Sequence, residues 1–178
     1  LNASAALAAL EALRMQLPCG AQEVRTGLAL VELPGRFQVL AGRPTTVLDV
    51  AHNPHASATL AQNLGAMGFH RYTYAVFGIM DDKDIDGVIA PMAGLVDHWC
   101  VTDLPSPRSA SSAALAEKLA ALRPAGAKDG DFSVTRFADP AAAFANAVSR
   151  AEENDRIVVF GSFYTVAGVM AARKNSLH

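Results

Sequence analysis

Residues 49–54 read Asp-Val-Ala-His-Asn-Pro. Asp49, His52 and Asn53 carry groups that bind anions or move protons. They come at the end of an apolar run, 45–50 (T-T-V-L-D-V), and just before a helical pattern. That position is the carboxyl end of an expected buried strand, the edge at which open α/β sheets hold ligands. Pro54 suits the first position of the following helix, and Asn53 can cap it. Free backbone N–H groups at such a start face the same crevice and offer partners to an anion. These residue types point to a phosphate-bearing or carboxylate ligand.

Three more strand ends have the same character. Phe77 leads into Gly78 and then Asp81-Asp82-Lys83-Asp84. Thr102 leads into Asp103-Leu104-Pro105-Ser106-Pro107-Arg108-Ser109. The run 157–160 leads into Gly161-Ser162-Phe163-Tyr164-Thr165. In a parallel sheet all four ends share one edge, although each alone also reads as turn chemistry, helix capping or solvated charge. Asp49, His52 and His55 are spaced as a metal motif would be. Pro54 breaks a regular helical face, however, and no second ligand pair follows, so no metal site is expected. The dinucleotide fingerprint Gly-x-Gly-x-x-Gly and the Walker loop are absent. Gly161-Ser162 lacks the second glycine of a nucleophile elbow.

The elements that must position these residues follow from periodicity. Alanine and leucine recur at helical spacing over 3–15, and Leu17-Pro18-Cys19-Gly20 stops that helix. A second short helix spans 21–32, and Pro34-Gly35 marks a turn. Strands are expected at 36–41, 45–50, 72–77, 96–102, 132–137 and 157–160. Helices are expected at 54–67, 84–93, 111–122, 139–152 and about 162–174. Strands alternating with helices of this length predict a three-layer, Rossmann-like α/β domain with a mostly parallel sheet of about six strands. The short Gly-Arg-Pro link at 42–44 makes the first strand an antiparallel partner at one edge. Residues 1–33 form a helical lead-in or hinge, and 34–178 form the α/β domain.

Composition narrows the class. The chain has 178 residues, 51% of them hydrophobic, enough for one sizeable core. A net charge of −2 gives no reason to expect nucleic acid or an anionic membrane surface. No run of apolar residues is long enough to span a membrane. Cys19 and Cys100 read as small buried residues in a reducing compartment, the cytoplasm. The start lacks a basic leader and carries Glu11 and Arg14, so a secretory signal is not expected. It opens at Leu1 with helical character, as a piece of a longer protein would.

Four motifs in order carry a resemblance: P-G-R-F-Q at 34–38, D-V-A-H-N-P at 49–54, D-D-K-D at 81–84 and G-S-F-Y-T-V at 161–166. Together they resemble the C-terminal domain of the folylpolyglutamate synthases, many of which are also dihydrofolate synthases, in the Mur ligase superfamily. The resemblance covers nearly the whole chain. It implies an ATP-dependent amide ligase that activates a folate or dihydropteroate carboxylate as an acyl phosphate, which the amine of L-glutamate then attacks. It also implies a monomer whose N-terminal ATPase domain, absent here, carries the Walker loop and most Mg2+ ligands. The isolated domain is then expected to be inactive.

The same resemblance assigns roles. Arg36 reaches ATP across the domain cleft, where a planar guanidinium matches phosphate oxygens. Asp49 and Asn53 contact the nucleotide. His52 stands near the reacting phosphate or the incoming glutamate, and Ser162 near the glutamate. Lys83 offsets negative charge during phosphoryl transfer, and Arg108 is a weaker candidate for anion contact. For Asp49, Asn53 and Ser162, helix capping is the competing account, and for His52 a structural histidine. Three other functions stay open: a peptidoglycan Mur ligase domain, a non-catalytic nucleotide-binding domain, and a hydrolase using Ser162, His52 and Asp49.

Overall fold

The computed structural model describes residues 2–31, 33–123 and 130–175. It divides into two compact units, Leu1–Leu33 and Pro34–His178. The first holds helices α1 (Asn2–Ala12) and α2 (Ala21–Leu30). None of its described residues is buried, and Leu13, Leu17, Leu28 and Leu30 are exposed. Cys19, between the two helices, is exposed rather than buried as its residue type suggested, because this unit has no interior to receive it. Cys100 is buried as expected.

The second unit is built on six strands: β1 (Gln38–Leu40), β2 (Thr45–Leu48), β3 (Thr73–Phe77), β4 (His98–Thr102), β5 (Ser133–Phe137) and β6 (Arg156–Phe160). Their spatial order is β1-β2-β6-β3-β4-β5. β1 pairs antiparallel with β2 at one edge, and every other pairing is parallel. β3, β4 and β6 are buried at every residue, as strands covered on both faces must be.

Alternation along the strands divides the core between the two faces. Val47, Ala75, Phe77, Trp99, Val158 and Phe160 face one side. There they meet Leu60 and Leu64 of α3 (Pro54–Gly65), Ile85 and Val88 of α4 (Ile85–Ile89), and Leu115 and Leu119 of α5 (Ser112–Ala120). Phe77 anchors this face, edge-on to Trp99 at 5.8 Å and tilted against Phe160 at 4.8 Å. Leu48, Tyr74, Val76, Cys100, Ile157 and Val159 face the other side. They meet Ala143, Phe144 and Ala147 of α6 (Pro140–Arg150), and Val166 and Val169 of α7 (Phe163–Asn175). The result is the three-layer arrangement expected from the sequence.

Most element ends shift by one to three residues from expectation, and two of the differences have a clear physical cause. The helix expected at 84–93 is the five-residue α4 followed by a 3-10 turn, Ala90–Met92, in which Pro91 has no N–H to continue an α ladder. The first strand starts at Gln38, not at residue 36. Gly35 and Phe37 both adopt left-handed backbone, at φ 69° and 43°, so residues 34–37 form a tight loop. Short apolar runs do not encode that conformation. The loop is held by the Phe37 N–H, which donates to the Asp49 carboxylate at the end of β2.

Candidate functional site

The four polar strand ends do share one edge. After β2, Asp49 donates its backbone N–H to Val159 of β6 at 2.9 Å, and its carboxylate turns back on the chain. Oδ2 accepts the Phe37 N–H and Oδ1 the Ala51 N–H, each at 2.8 Å. Val50 in turn donates its N–H to the Gly35 carbonyl at 2.8 Å. Asp49 therefore ties the Pro34–Phe37 loop to the end of β2. Burial pushes its carboxyl upward, while the two N–H groups and the Arg36 charge pull it down.

His52 is half-buried, and its Nδ1 lies 2.8 Å from the Val50 carbonyl oxygen. A carbonyl only accepts, so Nδ1 carries the hydrogen and Nε2 is the acceptor of the neutral ring. Asn53 caps α3, its Oδ1 accepting the Ala56 N–H at 2.9 Å, with Pro54 at the first helical position. The Arg36 guanidinium lies over the exposed Phe163 ring, 5.5 Å from its centroid, and Phe163 stands 6.1 Å from the His52 ring. Among the described residues that guanidinium makes no hydrogen bond or ion pair.

The end of β6 passes close to the end of β3. Gly161 has φ 103°, and a Cβ there would fall 2.6 Å from the Gly78 carbonyl oxygen and 2.7 Å from the Phe77 ring. Only glycine fits this crossing. Gly161 donates its N–H to Ala51 O at 3.0 Å, and Thr165 Oγ1 donates to Gly78 O at 2.7 Å. The ends of β2, β6 and β3 are thereby locked together. Ser162 is buried, and its Oγ accepts the Tyr164 N–H at 3.2 Å as α7 begins.

The loops after β3 and β4 are joined as well. Met80 and Ser109 form an isolated antiparallel bridge, and Asp81 donates its N–H to Arg108 O at 2.8 Å. Arg108 Nη2 is hydrogen-bonded to Asp82 Oδ2, and Lys83 Nζ lies 3.6 Å from the same oxygen.

These connections leave a cleft of about 240 Å3. His52, Lys83, Arg108 and Ser162 line it, with Phe163 and Tyr164 from the start of α7. The cleft thus joins a proton acceptor, two cations and a buried hydroxyl in one space, a setting for an anionic ligand bearing a nucleophile. Arg36, Asp49 and Asn53 lie outside its lining. Asp49 and Asn53 serve as backbone ties, and Arg36 borders the cleft through Phe163. Phe163 and Tyr164 fall within the G-S-F-Y-T-V motif, where the sequence assigns them no role; two adjacent aromatics directly after a Gly-Ser strand end are the available signal. A larger cavity of about 560 Å3 lies along α6, lined by Arg43, Phe144, Val148 and Arg173 among others. It holds none of the motif residues.

The hydrolase reading fails on geometry. Asp49 is bonded to Phe37 and Ala51, His52 Nδ1 to a carbonyl, and Ser162 Oγ to a backbone N–H. No Ser–His–Asp relay is assembled. Among the described residues no three His, Cys, Asp or Glu side chains gather to hold a metal, and no helix is long and apolar enough to cross a membrane.

Residues 35–163, which contain Arg36 and every residue of the cleft but Tyr164, match the family described as Mur ligase, glutamate ligase domain. The chain belongs to the Mur ligase family. This Mur ligase domain is 37% identical over 169 residues to the dihydrofolate synthase/folylpolyglutamate synthase of Escherichia coli K12, covering 95% of the chain and 37% of the relative. It superposes on the E. coli FolC structure in complex with DHPP and ADP with TM-score 0.86 and 36% identity, over 99% of the chain and 39% of that protein. A bifunctional folylpolyglutamate synthase/dihydrofolate synthase with Mn, AMPPNP and L-glutamate bound gives TM-score 0.75 and 38% identity, over 89% of the chain and 36% of that protein. The chain thus spans well under half the length of these relatives.

Proposed function

We propose that this Mur ligase domain is the C-terminal part of an ATP-dependent ligase that adds glutamate to folates, closing over an N-terminal ATPase domain. The observation that carries this reading is the convergence of His52, Lys83, Arg108 and Ser162 on one cleft. The fit to relatives bound to ADP, DHPP or L-glutamate supports it. ATP supplies the phosphoryl group that turns the folate carboxylate into an acyl phosphate. The glutamate amine attacks the acyl carbon, the C–O bond to phosphate breaks, and the amine gives up a proton. His52 Nε2 is the acceptor for that proton, oriented by the bond from Nδ1 to Val50.

Lys83 sets positive charge near the phosphate that leaves. Arg36, backed by Phe163, offers its planar donors to the nucleotide phosphates. Asp49 holds the Arg36 loop and Asn53 holds the start of α3, so both act on the nucleotide site chiefly by position. Ser162 contributes a hydroxyl to the glutamate pocket. The donor set here does not fit Mg2+, whose ligands are assigned to the remainder of the parent protein. This domain alone is then inactive, and the parent works in the cytoplasm as a monomer.

The test is ligation by the full-length parent with ATP, glutamate and either dihydropteroate or tetrahydrofolate, comparing wild type with Arg36→Ala and His52→Gln. Pterin-dependent ligation, with kcat down about a hundredfold or more in His52→Gln, supports the reading. Arg36→Ala is expected to raise the ATP KM. Ligation on a nucleotide-linked muramyl substrate, and none on pterins, would move the domain to the peptidoglycan branch.

A further inference from the structure

The cavity of about 560 Å3 along α6 shares no lining residue with the cleft. The β1–β2 link forms one wall through Ala41, Gly42 and Pro44, and the last turn of α7 adds another. The lining residues of α6 run from Ala141 to Ser149 at helical spacing, so they share one face of that helix. Most of the lining is apolar, and Phe144 is its aromatic member, itself buried. Apolar walls around this volume, with a few polar groups set into them, are the form of a small-molecule site.

Two of those polar groups have no partner. Thr46, the second residue of β2, faces α6 and α7 as Leu48 does two residues on. It is 4% exposed, and its neighbours on the adjacent strands are Leu40 and Ile157, whose side chains offer a hydroxyl nothing. Among the described residues the Thr46 hydroxyl makes no hydrogen bond, and it opens on the cavity that it lines. Buried hydroxyls are ordinarily paired, so this one stands out. Arg173, half-buried in the last turn of α7, makes no hydrogen bond or ion pair among the described residues. Arg43, the second cation of the lining, pairs with Glu153 at 3.2 Å, but the two side chains are 74% and 73% exposed. A pair this exposed contributes little and exchanges readily. Ser149 is already engaged, its hydroxyl donating to the Asn146 carbonyl at 2.9 Å. Among the described residues of the lining, none is acidic.

We propose that this cavity is a second binding site, for an organic carboxylate with a flat apolar body. The body lies against Phe144, Ala145 and Val148, where a planar ring gains most from the aromatic wall. One carboxylate oxygen accepts from the Arg173 guanidinium, whose planar donors match that group, and the other accepts from the Thr46 hydroxyl. A phosphate would bring a third oxygen and a second charge against alanine and proline walls that offer no donor. A neutral molecule of the same shape gives the guanidinium no counter-charge. None of these residues takes part in the proposed ligation, so the site binds its ligand whether or not the cleft is filled.

The experiment is calorimetric titration of the full-length parent with naphthalene carboxylate, beside the matching naphthalene amide and inorganic phosphate. Wild type is expected to bind the carboxylate saturably with Kd at or below about 1 mM, within reach of a ligand of about a dozen non-hydrogen atoms. The amide is expected to bind about tenfold more weakly or worse, and phosphate is expected not to compete. Arg173→Gln is expected to weaken carboxylate binding about tenfold, and Thr46→Val about three- to tenfold. The urea midpoint of Thr46→Val is expected to be unchanged or higher, because removing the hydroxyl breaks no bond within the fold. Weaker binding with undiminished stability is the result that a purely structural threonine does not give. Absence of saturable binding, equal affinity for carboxylate and amide, or affinity unmoved by both substitutions would overturn the proposal. Displacement of the carboxylate by ATP, glutamate or phosphate would overturn it as well, by putting the probe in the cleft or in a plain anion site. A lowered midpoint for Thr46→Val would do the same, since the hydroxyl would then have a partner in the fold.

Discussion

The guanidinium carbon of Arg36 lies 5.5 Å from the ring centroid of Phe163, joining the loop before β1 to the first residue of α7. The stack holds a long, flexible cation at the border of the cleft before any ligand arrives. Phe163 is 58% exposed, so the contact falls in the weaker, solvated range of cation–π pairs. Replacing Phe163 with Leu is expected to raise the ATP KM of the full-length parent about two- to fivefold, with the fold intact. Steady-state kinetics at varied ATP check this.

Asp49 accepts two backbone N–H groups, one from Phe37 in the loop before β1 and one from Ala51 just beyond its own strand end. Asn in its place can accept only one, and its NH2 faces the other donor. Asp49→Asn is expected to destabilise the domain by about 1–3 kcal/mol, the cost of a lost bond and an unmet donor. It is also expected to loosen the Arg36 loop. Urea denaturation midpoints, alongside protease nicking within 34–37, would show both effects.

Gly161 is the tightest point of the site. Alanine there meets Gly78 O at 2.6 Å in a backbone conformation that L side chains rarely adopt. Strain and overpacking together are expected to cost about 2 kcal/mol or more. Because Gly161 also sets Ser162, activity of the parent should fall further than stability alone accounts for. A wild-type midpoint for Gly161→Ala would contradict the crossing described here.

His98 lies at the opposite edge of the sheet, buried between the Tyr72 and Tyr74 rings at 5.2 and 4.5 Å, with Nδ1 3.0 Å from Ser133 Oγ. Burial pushes its pKa below the ordinary 6.5, with Arg150 adding to the effect and Asp97, Asp155 and Asp131 opposing it. The unfolded chain therefore binds more protons than the native one just below 6.5, so stability falls as pH drops through that window. It levels off only once the native ring also protonates. Unfolding free energies measured at about pH 5 and about pH 7.5 should show this loss in wild type and a smaller one in His98→Asn.

Much of this architecture is legible in the chain because its signals are local. Apolar runs of four to six residues separated by helical spacing give the strands and helices. The Gly-Arg-Pro link gives the antiparallel edge, and Asn53-Pro54 gives the start of α3. Pro91 shows where local reading loses resolution: the apolar spacing continues through it, but the α ladder does not. The loop at 34–37 shows the same limit, since nothing near Phe37 announces that Asp49 holds its N–H.

Sequence alone determined that four polar strand ends lie on one edge of a parallel sheet, because strand direction follows from alternation with helices. Only the tertiary structure decided the order of those ends. β6, last in the chain, pairs between β2 and β3 and so places Ser162 between His52 and Lys83. It also decided that Asp49 spends its oxygens on backbone ties, that Phe163 lies under Arg36, and that one carboxylate, Asp82, meets both cations of the cleft. The physical reason is the range of the forces involved. Propensity, capping and turn chemistry act over a few neighbouring residues. Strand order and side-chain partners are chosen by packing between segments a hundred residues apart, which leaves no local mark in the sequence.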